Sequence, residues 1–222
     1  KSYSYGYRHN NAMKSNAKIQ EFSEPYSHNV KYAEFDLSYG AGVVAFAEPT
    51  DELVAVTNES NYINQSFNVK YNDDRAKIEV ESEGRSKRGD RRGNKCNISL
   101  NENPEWQISL EVGAVDANLD LSSYKVSKVT VEGGACDIDM KIGTLQQDTK
   151  IDIETGVSNI VIRLPESAAC KIMSETILAD KNFKGFNKRG KGLYLSDNYG
   201  DAYQNIEIEL DGAVSDITVE WY

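Results

Sequence analysis

Histidine and cysteine side chains, which often serve as nucleophiles or transition-metal ligands, are scarce in this sequence. Its two histidines, His9 and His28, both lie in the first thirty residues, and neither has a second ligand at a metal-binding spacing. The three cysteines, Cys96, Cys136 and Cys170, form no C-x-x-C motif. No nucleophile elbow accompanies the histidines. We therefore expect no catalytic triad, no metal site and no cofactor.

Carboxylates at a repeated spacing are the other candidates for chemistry. Glu111 and Glu132 are 21 residues apart, and so are Asp116 and Asp137. Carboxylate oxygens suit Ca²⁺, and calcium beside a Lys or Arg base could serve a polysaccharide-cleaving enzyme. No D-x-D-x-D-G loop supports a calcium site. A solvated acidic stripe is thus the preferred interpretation, and a calcium-dependent enzyme is the least favoured of three functions.

A run of basic residues separates two strand-like segments. The eleven residues from Arg85 to Lys95 hold six cations and one carboxylate, Asp90. Their Gly, Ser and Asn content is typical of a hairpin tip, which is the preferred interpretation. The alternative is a loop that contacts an anionic partner. The cations that would make this contact are Arg85, Lys87, Arg88, Arg91, Arg92 and Lys95.

An internal repeat indicates the elements that must position these residues. Five segments each have a small residue at their centre, flanked on both sides by alternating apolar and polar residues. The apolar residues stand five and three positions before the small residue and four and six positions after it. All twenty of these positions are apolar, which predicts strand, corner, strand. Glycine suits such a corner because it permits a positive φ or a close backbone approach. The five structural corner residues are Gly40, Gly113, Gly134, Gly156 and Ala213.

The spacing of the corners predicts the architecture. The three central corners are 21 and 22 residues apart, which fits one turn of a β-solenoid and is too short for a propeller blade. We predict an all-β fold, a single-stranded right-handed β-solenoid with capping strands, whose rungs stack as parallel strands in register. The expected domains are an irregular N-terminal extension over residues 1–30 and the β-solenoid over residues 31–222. Gaps of 73 and 57 residues beside the central corners should hold degenerate rungs or hairpins.

Composition and charge limit the partners. The chain has 25 basic and 35 acidic residues, so its formal charge of −10 repels phosphates and nucleic acid is not an expected partner. Apolar runs such as Val43–Ala47 are too short to cross a bilayer. The sequence begins at Lys1 rather than Met, and we expect that an upstream export signal or anchor has been removed. Membrane association would then depend on that anchor.

Three repeats give the chain a family resemblance. The segments ISLEVGAVDANLDLSS, VTVEGGACDIDMKIG and IDIETGVSNIVIRLP resemble the bacterial toast-rack β-solenoid domains. These include the C-terminal region of LiaF-type cell-wall-active antibiotic response proteins and related adhesin head domains. The Leu119-Asp120-Leu121 step and the Arg163-Leu164-Pro165 exit fit the same pattern.

The resemblance implies a domain that is anchored to the bacterial cell envelope, lies outside the cytoplasm and has no catalytic residues. Its implied function is that of a non-enzymatic scaffold or interaction domain, and some family members modulate envelope-stress signalling through sensor proteins. The alternative function is an adhesin or glycan-binding module. An envelope protein or a glycan is therefore the expected partner.

Overall fold

The computed structural model describes residues 18–60, 64–83 and 93–222. Thirteen β-strands in these ranges form one open sheet. No segment in the same ranges is a helix with the length and apolar character of a membrane span. The strands are β1 (Lys18–Glu24), β2 (Tyr32–Phe46), β3 (Val54–Ser60), β4 (Asn64–Asn72), β5 (Arg75–Glu83), β6 (Lys95–Leu100), β7 (Glu105–Leu121), β8 (Lys125–Ile142), β9 (Asp148–Leu164), β10 (Ala169–Phe183), β11 (Phe186–Lys188), β12 (Leu193–Ser196) and β13 (Asn205–Trp221).

Six long strands stack as parallel rungs in the order β2, β7, β8, β9, β13 and β10. The register keeps equivalent residues of the repeat opposite each other. Next to the corner, for example, Ala114 pairs with Ala135, and Ala135 pairs with Val157. The residues Gly40, Gly113, Gly134, Gly156 and Ala213 therefore lie side by side on five adjacent rungs.

The twenty apolar positions of the repeat form the core, and each is at most 7% exposed. Leu110, Val131 and Ile153 are direct neighbours through the register of β7, β8 and β9. Every second residue of a rung is buried, and at the corner the buried set changes from even-numbered to odd-numbered positions in β7. Val112 is therefore buried before Gly113, and Val115 is buried after it. Both halves of a rung thus face one core. Each fully buried Val, Leu or Ile contributes about 1.5–3 kcal/mol to folding.

The first rung is capped separately on its two halves. The first half of β2 pairs with β5, which pairs with β4, and the second half pairs with β6, which is followed by β3 and β1. The gap after the first corner therefore holds short capping strands. The prediction of an irregular segment is wrong for Lys18–Glu24, because these residues form β1. Residues 1–17 lie outside the described ranges.

The last rungs do not stack in sequence order, because β13 lies between β9 and β10. The repeat pattern missed β10 as a sixth rung. Ile177 stands at its corner position, and Ser174 and Lys181 stand in columns that are otherwise apolar. The strand β12 pairs with β10 over residues 171–173 only, and β11 pairs with β12.

Candidate functional site

The corner is a close contact between the backbones of neighbouring rungs. A Cβ atom on Gly113 would collide with the carbonyl oxygen of Gly40. Cβ atoms on Gly134 and Gly156 would each lie 2.7 Å from the carbonyl oxygen of the preceding corner residue. None of these glycines has a φ in the left-handed region. Glycine is therefore required here for close approach and not for a positive φ.

Two ladders of mostly acidic side chains run along the outside of the stack, one on each side of the corner. Among the residues that the structure describes, no member of either ladder takes part in an ion pair. The first acidic ladder consists, in stacking order, of Glu111, Glu132, Glu154, Asp211 and Glu175. The second acidic ladder consists of Asp116, Asp137, Asn159, Asp216 and Asp180.

The ladders do not assemble a metal centre. In the described part of the chain, no three His, Cys, Asp or Glu side chains are placed so that they could hold a metal ion. The calcium candidates Glu111, Glu132, Asp116 and Asp137 are all exposed. Neighbouring rungs are about 4.8 Å apart, so like charges at equivalent positions face each other and destabilise the stack by tenths of a kcal/mol to about 1 kcal/mol per pair.

Farther from the corner, outward carboxylates do have cationic neighbours. Asp120 lies 4.0 Å from Lys141 on the next rung, and Lys141 is in register with Arg163. The guanidinium of Arg163 donates to Glu220 at 2.9 Å and also contacts Asp139. These exposed pairs contribute little to stability. The first acidic ladder differs from these outer columns because, among the described residues, none of its carboxylates forms an ion pair.

The three cysteines are buried and free. Burial raises the pKa of the Cys96 thiol to about 11, and it also raises the pKa of Cys136 and of Cys170. A thiol with a raised pKa keeps its proton at neutral pH and is a poor nucleophile. The cysteines are therefore small packed side chains of the core.

Most of the basic run lies outside the described residues, namely Arg85, Lys87, Arg88, Arg91 and Arg92. The sixth cation, Lys95, is exposed at the start of β6. His9 also lies outside the described ranges, whereas His28 is exposed with its ring edge-on to Tyr26 at 5.4 Å. The anionic-partner role of the loop therefore stays a prediction.

A second group of cations is nearly as dense as the first, with five in eleven residues instead of six, but it does not belong to the repeat. Residues 181–191 contain five Lys or Arg residues and no carboxylate. They join the end of β10 to β11 and β12. Three of these cations, Lys181, Lys188 and Lys191, line one cavity. A count of charge in windows of eleven residues would have found this segment beside Arg85–Lys95.

Aromatic rings pack at both ends of the stack. At the first rung, the rings of Phe22 and Phe67 stack at 5.3 Å. At the last rung, Phe186 stacks on Trp221 at 5.1 Å, and Phe183 meets Tyr194 edge-on at 4.9 Å. Solenoid ends need such caps because a terminal rung would otherwise expose apolar surface.

Comparison with known proteins finds a matching family model and solved structures that resemble this chain to different degrees. One family model, described as the N-terminal domain of toast_rack (DUF2154), matches residues 8–163. A putative cell adhesion protein from Clostridium sporogenes ATCC 15579 has 24% identity and a TM-score of 0.85, over 93% of this chain and 100% of that chain. A putative adhesin from Bacteroides fragilis NCTC 9343 has 8% identity and a TM-score of 0.34, over 94% of this chain and 98% of that chain. No curated protein gives a significant match.

Proposed function

The chain belongs to the family of the toast_rack N-terminal domain, and from this premise we propose that it is a non-enzymatic interaction domain of the bacterial cell envelope. It acts outside the cytoplasm, held by an upstream anchor, as a scaffold that contacts a membrane protein of envelope-stress signalling. The adhesion-related description of the Clostridium sporogenes structure supports the envelope location. A long stack of rungs suits this role because it offers extended faces for protein contact.

The open edge of β10 is the observation that carries the proposal. Residues 176–183 pair with β13 on one side, and no other strand of the described chain pairs with them on the opposite side. Ile177 and Leu178 stand at this edge and are 80% and 66% exposed. An unpaired strand edge can bind an extended partner segment through main-chain hydrogen bonds, and apolar neighbours add affinity.

Photo-cross-linking in intact cells tests this proposal. A photoreactive residue in place of Leu178 should capture a membrane protein, and Ile177→Lys should abolish the capture because a lysine at a strand edge opposes strand addition. Val157→Lys is the matched control, since Val157 is 57% exposed on the internal rung β9. An envelope-stress reporter should change with Ile177→Lys and not with Val157→Lys. Equal effects of the two variants would contradict a role for the β10 edge.

A glycan-binding adhesin is the second candidate, and exposed tyrosines favour it. Tyr203 is 80% exposed and Tyr199 is 39% exposed. Tyr32 is less suited to stacking on a sugar because the guanidinium of Arg75 lies 4.5 Å from its ring centroid. Tyr203→Ala should remove binding on a glycan array, whereas Tyr71→Ala should not. An array without signal above background would eliminate this candidate.

Further expectations belong to the proposal. The rungs coil as a single-stranded, right-handed β-solenoid over residues 31–222, and the residues before it contribute the capping strand β1. The loop from Arg85 to Lys95 contacts an anionic envelope component. A photoreactive residue placed within this loop would test that contact, and neutral replacement of the loop's cations should abolish the capture.

A further inference from the structure

The apolar core ends at the β10 side of the stack in a cavity lined by lysines. The cavity measures about 430 Å³, which is within the range of about 300–1,000 Å³ that is typical of small-molecule sites. The strand β10 and the segment that follows it provide the lining. The residues that matter to the argument are Ser174, Thr176, Lys181, Lys188, Lys191 and Tyr194.

Two of these residues occupy columns that are apolar on the other rungs. Ser174 is in register with Leu210, and Lys181 is in register with Ile217. Leu210 and Ile217 are both buried on the neighbouring strand β13. Lys181 is therefore partly removed from water, and this desolvation, together with the positive charge of Lys188, lowers the pKa of Lys181.

The three lysines have no counter-ion in the described part of the chain, where no ion pair includes Lys181, Lys188 or Lys191. The Nζ atom of Lys188 lies 5.8 Å from the ring centroid of Tyr194. Glu175 also lines the cavity, so three ammonium groups and one carboxylate give 3 − 1 = +2 in a chain of net charge −10.

Protection of the strand edge does not account for the whole cluster. An inward-pointing lysine on an edge strand discourages pairing with other sheets, which is a sufficient reason for Lys181. Lys188 and Lys191 are not on β10, and they reach the same cavity from the segment that follows it. Lys188 and Lys191 are exposed and Lys181 is half-buried, and an anion in the space that these three ammonium groups line would relieve their mutual repulsion.

We propose that this cavity binds the phosphate group of an anionic ligand. Lysine binds phosphate as a point charge, whereas a planar carboxylate is best recognised by the fork of an arginine, and Arg189 does not line the cavity. The hydroxyl groups of Ser174 and Thr176 share a hydrogen bond of 3.4 Å, and the hydroxyl that accepts in this pair keeps its own hydrogen to donate to a tetrahedral oxyanion. A phosphodiester polymer and a phospholipid headgroup both offer this chemistry. This site is additional to the protein contact proposed above.

Binding of the purified full chain to two probes tests the proposal. The probes are poly(glycerol phosphate) and phosphatidylglycerol vesicles, with phosphatidylcholine vesicles as the background. Lys188→Gln and Lys191→Gln should each weaken binding by about tenfold at low ionic strength, as expected for a lost charged hydrogen bond. Lys184→Gln is the matched control because it removes the same charge from the same segment, and Lys184 does not line the cavity.

A variant with increased affinity makes the test independent of folding defects. Glu175→Gln removes the one carboxylate from the lining and should strengthen binding a few-fold.

Binding to the polymer alone would identify a phosphodiester polymer as the source, and binding to the vesicles alone would identify a lipid headgroup. Absence of binding to both probes would overturn the proposal. Equal weakening by Lys184→Gln and Lys188→Gln, or no gain with Glu175→Gln, would also overturn it. Phosphate binding that persists when cross-linking at position 178 fails would separate this site from the proposed function.

Discussion

The rings of Phe35 and Phe46 lie 6.1 Å apart and nearly perpendicular, although both belong to β2 and are eleven positions apart in sequence. A straight strand would separate these positions by about 36 Å. The strand must therefore fold back between the two rings, where Gly40 stands, so that its halves face each other across the core. Because the rungs are in register, the neighbouring rungs bend at the equivalent position.

The corner glycines should differ in their tolerance of a methyl group. Gly134→Ala would place a Cβ atom 2.7 Å from the carbonyl oxygen of Gly113, and we expect it to lower the free energy of unfolding by about 1–3 kcal/mol. Gly40→Ala is the control, because a Cβ atom there meets no atom within 4 Å. Urea denaturation measures both variants. Equal losses would show that close approach is not the reason for glycine at the corner.

The inner columns should be sensitive to the loss of side-chain volume. Ile153 is 2% exposed between neighbouring rungs, so Ile153→Ala should lower the free energy of unfolding by about 2–5 kcal/mol. Ile177→Ala, at a side chain that is 80% exposed, should change it by less than about 0.5 kcal/mol. Chemical denaturation monitored by tryptophan fluorescence can compare the two. A similar loss for both would contradict the assignment of the core.

Neutral substitutions on the outer face should have different effects on stability in two neighbouring columns. Glu154→Gln removes a charge from the first acidic ladder and should stabilise the protein by tenths of a kcal/mol to about 1 kcal/mol. Asp152→Asn should not stabilise it, because the Asp152 carboxylate lies 3.4 Å from Lys128 and 3.3 Å from Lys150. Thermal denaturation at low ionic strength measures the difference, which should shrink in 1 M salt. Stabilisation by both variants would indicate a general charge effect.

Alkaline pH should destabilise the fold through its buried thiols. The Cys96 thiol has a pKa of about 11 in the folded chain, compared with an ordinary value of 9.0. Between these values the unfolded chain loses a proton that the folded chain keeps, so the unfolding free energy falls as pH rises. The Cys96 thiol makes its full contribution to stability below pH 9. As pH rises above this value, the unfolding free energy falls by at most about 1.4 kcal/mol per pH unit for one group.

The variant Cys96→Ala isolates this contribution. Urea midpoints measured from pH 8 to pH 11 should fall less steeply for Cys96→Ala than for the unchanged protein, even if the variant starts from a lower stability. A parallel decline in both proteins would show that other groups, such as the buried Tyr124 with its pKa raised to about 12, account for the alkaline loss.

Alternation in the sequence predicted the buried columns but not every neighbour in the stack. It placed Leu110, Val131 and Ile153 in one column, and the register confirms this arrangement. Alternation reports which face of a strand is buried and carries no information about which strand lies beside it. The insertion of β13 between β9 and β10 was therefore invisible in the pattern.

The features that escaped prediction are those in which polar residues replace apolar ones. Ser174 and Lys181 interrupt the alternation of β10, so its two halves could not be recognised as one rung. The acidic ladders followed directly from the repeat because each rung contributes the same position. The lysine cavity did not, since Lys188 and Lys191 reach it only after the chain has turned through β11 and the loop before β12.

The position of β13 has a consequence for synthesis. The ribosome releases β10 well before residues 205–221. In the sheet, however, β10 and β9 do not pair with each other, and β13 lies between them. The rungs from β2 to β9 can assemble in the order of translation, whereas the edge of β9 must wait for a strand that is made after β10. Completion of the fold is therefore a late, long-range event, and an unfinished chain exposes two strand edges that could pair wrongly.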